Sequence, residues 1–178
     1  MSEQVATPAG VRLVVPQLAY RLEGVRINYD LTPKETVGLL SGSNSDIALW
    51  PEDKMGLWND GKTGVVEDAV LPFLWPKQSF STAQGRQQQA PIGYVLPVEL
   101  ASLALPENDP QRIRKEINAL GIWALVALRQ SDEELWRLGG HFRPFYLDLF
   151  PRFFWFSLGC SGDDWSVRSA LVGAPQVP

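Results

Sequence analysis

A dense run of aromatic residues near the C-terminus, from His141 to Cys160, constrains the fold more than any other part of the chain. Aromatic side chains bury large areas and favour the pleated surface of a sheet. The run therefore predicts two strands of inner β-structure, Pro144–Phe150 and Arg152–Leu158, interrupted at Pro151. The aromatic residues in it are Phe142, Phe145, Tyr146, Phe150, Phe153, Phe154, Trp155 and Phe156.

The chain has 178 residues, of which 45% are hydrophobic and 20% are charged. This length and composition predict one globular domain with a sizeable core. We expect an α+β protein with a mostly antiparallel sheet and a few helices packed against it. The predicted domain spans residues 11–173, after a disordered lead-in at residues 1–10 and before a C-terminal tail at residues 174–178.

The charge and cysteine content restrict the functional class. A formal net charge of -4 argues against non-specific nucleic-acid binding, which usually requires a basic surface. A single cysteine, Cys160, excludes an internal disulfide framework and fits a reducing compartment. The N-terminal segment lacks the pattern of a signal peptide, and no stretch is predicted to span a membrane. These features predict a cytoplasmic protein.

Several local patterns predict helices. Thr32, Pro33 and Glu35 form a helix start with a reciprocal cap. Prolines open a short helix at Pro97–Leu105 and a second one after Asn108-Asp109. We expect this second helix to continue through the apolar run Gly121–Leu128, because alanine and leucine dominate it. The alternative is that the helix stops at Gly121 and that Ile122–Leu128 is a buried strand.

Other segments have weaker signals. Glu67–Trp75 favours a short helix that ends at Pro72. Lys77–Pro91 is rich in glutamine, serine and glycine, which predicts a long exposed loop of the kind that often carries function. Ser131 and Glu134 have the spacing of a capping box, which predicts another short helix ending at Gly139-Gly140.

The segment Gly56–Thr63 matches the phosphate-binding consensus G-x-x-x-x-G-K-[ST]. In such a loop, backbone N–H groups surround the phosphates, the lysine contacts the terminal phosphates and the hydroxyl binds magnesium. This match makes a nucleotide-binding enzyme the alternative function. The candidate cofactor-binding residues are Gly56, Gly61, Lys62 and Thr63.

The sequence around this motif favours a different structure. A phosphate-binding loop follows a buried strand, but the charged residues 52–54 precede the motif, and Gly64-Val65-Val66 resembles a strand rather than a helix. We therefore expect a β-hairpin over Leu57–Val66 that turns at Asn59-Asp60-Gly61, since Asp-Gly supplies the positive φ of tight turns.

No convincing catalytic or metal-binding set is present in the sequence. Cys160 and His141 are the only thiol and imidazole, and a free cysteine is more often a small buried apolar residue than a nucleophile. One histidine and one cysteine also fall short of the ligands that zinc requires. The acidic clusters fit helix starts and solvated turns. No catalytic residue and no metal ligand is predicted.

Two groups of residues are candidates for a protein interface. Aromatic and arginine side chains are the usual anchors of such interfaces. The aromatic group flanks the glutamine-rich segment, and the alternative is that it forms a satellite core. The basic group opens the helix after Asp109, where neighbouring acids can neutralise it. The candidates are Trp58, Phe73, Trp75, Phe80, Arg112, Arg114 and Lys115.

These observations predict a non-enzymatic protein-binding module. It would act as an adaptor, an inhibitor or a small subunit of a larger cytosolic assembly, of bacterial or phage origin. Its expected partners are proteins, and it requires no cofactor.

Overall fold

The computed structural model describes residues 20–40, 45–159, 162 and 164–177. The predicted lead-in at residues 1–10 and Cys160 lie outside these residues. The helices are α1 Pro33–Leu39, α2 Met55–Asn59, α3 Thr82–Gln89, α4 Pro97–Ser102 and α5 Pro110–Ala119. The strands are β1 Tyr20–Asn28, β2 Val65–Leu74, β3 Phe80–Ser81, β4 Ala124–Ala127, β5 Trp136–Leu138, β6 His141–Arg143, β7 Phe145–Leu149, β8 Phe154–Leu158, β9 Asp164–Trp165 and β10 Ser169–Val172.

A six-stranded sheet with the order β1-β2-β10-β4-β7-β8 organises the fold. Its neighbours pair antiparallel, except that β10 and β4 are parallel. Two small sheets, β3-β9 and β5-β6, and short 3-10 helices complete the described part of the chain. The predicted class, an α+β fold with a mostly antiparallel sheet, is confirmed.

The aromatic run forms the hairpin β7–β8, as predicted. Phe145, Leu147 and Leu149 lie opposite Leu158, Phe156 and Phe154. Successive side chains of a strand point to opposite faces, so these residues share the inner face of the sheet. Phe145 and Phe156 are fully buried there and stack with ring centroids 5.7 Å apart.

The two faces of the sheet are covered unequally. The inner face packs against α4, α5 and the segment around α2 in one large apolar core. The outer face carries a smaller cluster, whose members are Leu74, Phe80, Val126, Leu128, Trp165 and Leu171. Strands β3 and β9 supply Phe80 and Trp165 to this cluster, so they cover only part of the outer face.

Two predictions that depend on neighbouring residues, a capped helix start and proline-led helices, are confirmed. The Thr32 hydroxyl accepts a hydrogen bond from the Glu35 backbone, and the Glu35 carboxylate accepts one from the Thr32 N–H. Helices begin at Pro97 and Pro110, with Asp109 capping the second. Strand β1 also contains a bulge at Gly24, which has a φ of 72° at a register shift between β1 and β2.

The predicted extension of α5 through Leu128 is wrong, and the strand alternative is correct. The helix ends before Gly121. This residue has a positive φ of 95°, a backbone conformation that glycine adopts without steric strain. The following residues form β4, with β10 on one side and β7 on the other. A central strand that is covered on both faces is apolar at every position. A buried helix has the same apolar pattern, so the pattern alone does not distinguish the two structures.

Several other secondary-structure predictions are also wrong. The predicted helix Glu67–Trp75 is wrong, because all of it but Trp75 lies in β2. Pro72 is tolerated in this strand because its backbone N and O face Gly173, just beyond the end of β10. Lys77–Pro91 is not a loop, since α3 lies within it, starting from a Ser81–Gln84 capping box. Ser131 precedes a 3-10 turn, and Gly139-Gly140 connects β5 to β6.

Candidate binding surfaces

The segment Gly56–Thr63 forms neither a hairpin nor the local structure of a phosphate-binding loop. Gly56 lies within α2, and Asp60 ends this helix with a left-handed φ of 55°. Strand β2 begins at Val65, so a helix precedes the loop and a strand follows it. A phosphate-binding loop has the opposite order, since its amides are aimed by the helix that it opens. The predicted hairpin over Leu57–Val66 is therefore wrong.

The Lys62 ammonium group is held by a carboxylate of the protein itself. Its Nζ lies 2.9 Å from Oε1 of Glu99 and 5.1 Å from the centroid of the Tyr29 ring. The Glu99 side chain is only 1% exposed. It also accepts hydrogen bonds from the Tyr29 hydroxyl at 2.7 Å and from the Leu96 N–H at 2.7 Å. Lys62 thus neutralises a buried acid, which is a structural role.

Burial and the hydrogen bond to Glu99 hold the pKa of Tyr29 far above its usual range. The phenol therefore remains a donor to the carboxylate at any ordinary pH. The other motif residues, Gly56, Gly61 and Thr63, are exposed. Nucleotide binding at this segment stays a prediction, and no feature of the local geometry supports it.

The four candidate aromatic residues are mostly core. Trp58, Phe73 and Phe80 are buried, the first two in the inner core and the third in the outer cluster. Their rings are covered by the chain itself: Phe80 belongs to the smaller cluster, as the satellite-core alternative expects, whereas Trp58 and Phe73 belong to the main core. An interface role for these residues stays a prediction. Trp75 is half-buried, and its indole N–H donates to the Val167 carbonyl at 2.8 Å.

The basic group lies on α5 beside a shallow cleft of about 540 Å³. Arg112 lies 3.3 Å from Glu116 and 3.8 Å from Asp109. Arg114 donates to the Gln111 side chain at 2.7 Å. The expected neutralisation by neighbouring acids therefore holds for Arg112. Lys115 is exposed on the same helix.

The described residues contain no cluster of three or more histidine, cysteine, aspartate or glutamate side chains suited to a metal ion. His141 lies at the start of β6 and is exposed. Cys160 lies outside the described residues. No helix in the described part of the chain is long and apolar enough to cross a membrane.

The sequence did not single out the exposed rings of the β7–β8 hairpin. Phe150, Phe153 and Trp155 are 40%, 37% and 37% exposed. Phe150 and Phe153 have ring centroids 5.0 Å apart, and Trp155 meets Phe153 edge-on at 6.2 Å. The expectation that the whole aromatic run is inner structure is therefore wrong for these residues. We call Asp148, Phe150, Phe153 and Trp155 the aromatic face.

Alternation along the two strands produces this face. Asp148 pairs with Trp155, and the inward residues Leu149 and Phe154 pair next to them. Asp148 and Trp155 therefore point to the outer face, beyond the part covered by Trp165. In the sequence, the signal for this face was the alternation along β7, in which the polar residue Asp148 lies between apolar ones. The sequence alone did not tell which part of the outer face would be covered.

Asp148 is a half-buried carboxyl on this face. Burial raises its pKa to about 6, and no neighbouring charge contributes to the shift. Among residues 20–40, 45–159, 162 and 164–177, no hydrogen bond or ion pair reaches its side chain. A carboxylate that is desolvated without a partner destabilises the fold.

Replacing this carboxyl should stabilise the protein. The group titrates near 4 in an unfolded chain and at about 6 in the fold, so the folded state is penalised increasingly as pH rises through this window and fully above it. We expect Asp148→Asn to raise the free energy of unfolding by about 1 kcal/mol at pH 8, a value reduced for solvent screening. At pH 3 the gain should vanish. Urea unfolding at both pH values measures the effect, and a loss of stability at pH 8 would contradict it.

No known protein family, curated protein or solved structure matches this chain.

Proposed function

We propose that this chain is a protein-binding module whose partner docks on the aromatic face. The observation that carries the proposal is the continuous row of exposed rings formed by Phe150, Phe153 and Trp155. Large aromatic side chains are the residues that most often anchor protein interfaces. A contiguous exposed apolar patch, unlike a single exposed ring, marks an interaction surface.

The position of the face in the sheet supports the same proposal. Strand β8 is an edge of the six-stranded sheet, and no strand pairs with its far side in the described part of the chain. An extended segment of a partner can add to such an edge through backbone hydrogen bonds while its side chains contact the neighbouring rings. The partner's contact with the rings then supplies most of the binding energy.

The biological role that we attach to this module is that of an adaptor, an inhibitor or a small subunit of a larger assembly in the cytoplasm. The acidic net charge of -4 favours protein rather than nucleic-acid partners. Binding through the aromatic face needs no cofactor and no reactive side chain.

A retention experiment in a lysate of the native host tests the proposal. The test variant carries Phe153→Thr and Trp155→Thr, because threonine keeps the β-propensity of the hairpin while it removes the rings. The immobilised wild-type chain should retain a defined partner in stoichiometric amount. The test variant should retain at least about tenfold less, since loss of two anchor residues removes 2 kcal/mol or more of binding energy.

The matched control carries Val65→Thr and Val177→Thr, two exposed apolar residues that lie four strands away on the β2 side of the sheet. It should retain the partner like the wild-type chain. Circular dichroism establishes that both variants remain folded. Equal retention by the test variant and the wild-type chain would refute the proposed interface.

A further inference from the structure

We infer that the partner presents an arginine or lysine side chain to Asp148, where the cation lies between the carboxylate and the ring of Trp155. This inference rests on the proposed function and adds the chemistry of the partner to it. The occupant is an extended basic segment of another protein.

The arrangement of the strands places a carboxylate and an indole side by side. Asp148 and Trp155 are directly opposed on β7 and β8, a relation that brings Cβ atoms to about 5 Å. On the other side of Asp148, strand β4 presents only the methyl group of Ala124. Ala124 therefore adds little bulk beside the half-buried carboxyl, while the larger ring of Trp155 flanks it on the other strand.

The charge of this position lacks a complement in the part of the chain that the structure describes. The Asp148 carboxylate has no partner among the described residues, and strands β4 and β8 present alanine and tryptophan to it. Its pKa of about 6 leaves it mostly ionised at neutral pH. A cation brought to this position donates a charge-assisted hydrogen bond to the carboxylate and makes a cation–π contact with the indole.

Other occupants fit the face less well. A wholly apolar segment over Phe150 and Trp155 would bury the Asp148 charge without a partner, which is costly. An acidic segment would be repelled by the same charge. A basic residue within an extended apolar segment satisfies the rings and the carboxylate together, so charge complementarity selects it.

Two peptides of identical length test the inference. The probe is acetyl-Thr-Val-Thr-Arg-Thr-Val-Thr-amide, and the matched peptide has glutamine in place of arginine. Binding is followed on the full-length chain through the NMR signals of the Trp155 indole N–H and of the β8 backbone amides, and the amides alone report on Trp155→Thr, which lacks the indole. We expect the arginine peptide to bind about tenfold more tightly than the glutamine peptide. In Asp148→Asn the ratio should fall to about two or less, and in Trp155→Thr both peptides should lose their binding.

Three outcomes would overturn the inference. The first is an equal affinity of the wild-type chain for both peptides, or no saturable shift with the arginine peptide at millimolar concentration. The second is a preference for arginine that persists in Asp148→Asn. The third is a shift of the Trp155 signal with protein concentration in the absence of peptide, which would assign the face to a second copy of this chain.

The experiments distinguish a failure of the proposed function from a failure of this inference. A native partner that is lost from the Phe153→Thr, Trp155→Thr variant but fully retained by Asp148→Asn would leave the interface in place and overturn only the basic side chain. A partner that is retained equally by the wild-type chain and the variant without rings would remove the interface itself.

Discussion

Replacing Glu99 with alanine should lower the free energy of unfolding by about 4 kcal/mol, because it breaks a buried network that includes an ion pair. The carboxylate binds the Lys62 ammonium group, the Tyr29 hydroxyl and the Leu96 N–H at 2.7 to 2.9 Å. Alanine leaves the buried hydroxyl and amide without an acceptor, and each loss is unfavourable. Urea unfolding at pH 7 measures the change.

Two other glutamate variants, each expected to lose less stability, serve as comparisons for Glu99→Ala. Glu99→Gln keeps an acceptor oxygen but removes the charge, and we expect a loss of about 2 kcal/mol. Glu116→Ala removes a carboxylate that pairs with Arg112 on the exposed face of α5 and should lose no more than about 0.5 kcal/mol. A loss at Glu99→Ala as small as that at Glu116→Ala would show that the buried network does not hold the fold together.

Trp58→Ala should lower the free energy of unfolding by a similar amount, about 4 kcal/mol. The side chain is fully buried and meets the rings of Trp50, Phe145 and Phe156 at centroid distances of 5.6 to 6.2 Å. Its indole N–H donates to the Leu31 carbonyl at 2.9 Å. Alanine removes these contacts and leaves a cavity that a rigid set of rings fills only in part.

The same substitution at Trp155 serves as the control, because it also replaces a tryptophan with alanine. Trp155 is partly exposed on an edge strand, so its loss should destabilise the fold by about 1 to 2 kcal/mol. Urea unfolding of both variants gives the comparison. Equal losses at the two positions would contradict the division of the rings between the core and the aromatic face.

Several features that depend on residues close in sequence were predictable, although the Ser131–Glu134 spacing and the Asp60-Gly61 turn signal gave wrong predictions. The Thr32–Glu35 capping box and the β7–β8 hairpin follow from side chains a few residues apart. The helix α3 also carried such a signal, because Ser81 and Gln84 have the spacing of a capping box. The glutamine-rich composition of the segment outweighed it, although Gly85 and Gln89 are buried against the outer side of the sheet.

Features that depend on distant partners were not predictable from local patterns. Strand β4 has the composition of a helix and becomes a strand because β10 and β7 pair with it on both sides. Lys62 and Glu99 are 37 residues apart, so the motif around Lys62 gave no indication of its internal partner. To predict the aromatic face, one would need both the register of the β7–β8 hairpin and the extent of the outer cluster, which depends on β3 and β9.

The two faces of the β7–β8 hairpin affect stability in opposite directions. Phe154 and Phe156 point inward and stabilise the fold, whereas Trp155 and Asp148 point outward. The Asp148 carboxyl, which has no partner among the described residues, destabilises the folded chain, and a partner that supplies a cation would remove this penalty. Stability and binding are therefore expected to change in opposite directions in Asp148→Asn.

The amount of native partner retained by the Phe153→Thr, Trp155→Thr variant, compared with the Val65→Thr, Val177→Thr control, tests the interface most directly. The account predicts at least about a tenfold loss in the first variant and full retention in the second. Full retention by both, with both variants folded, would contradict it.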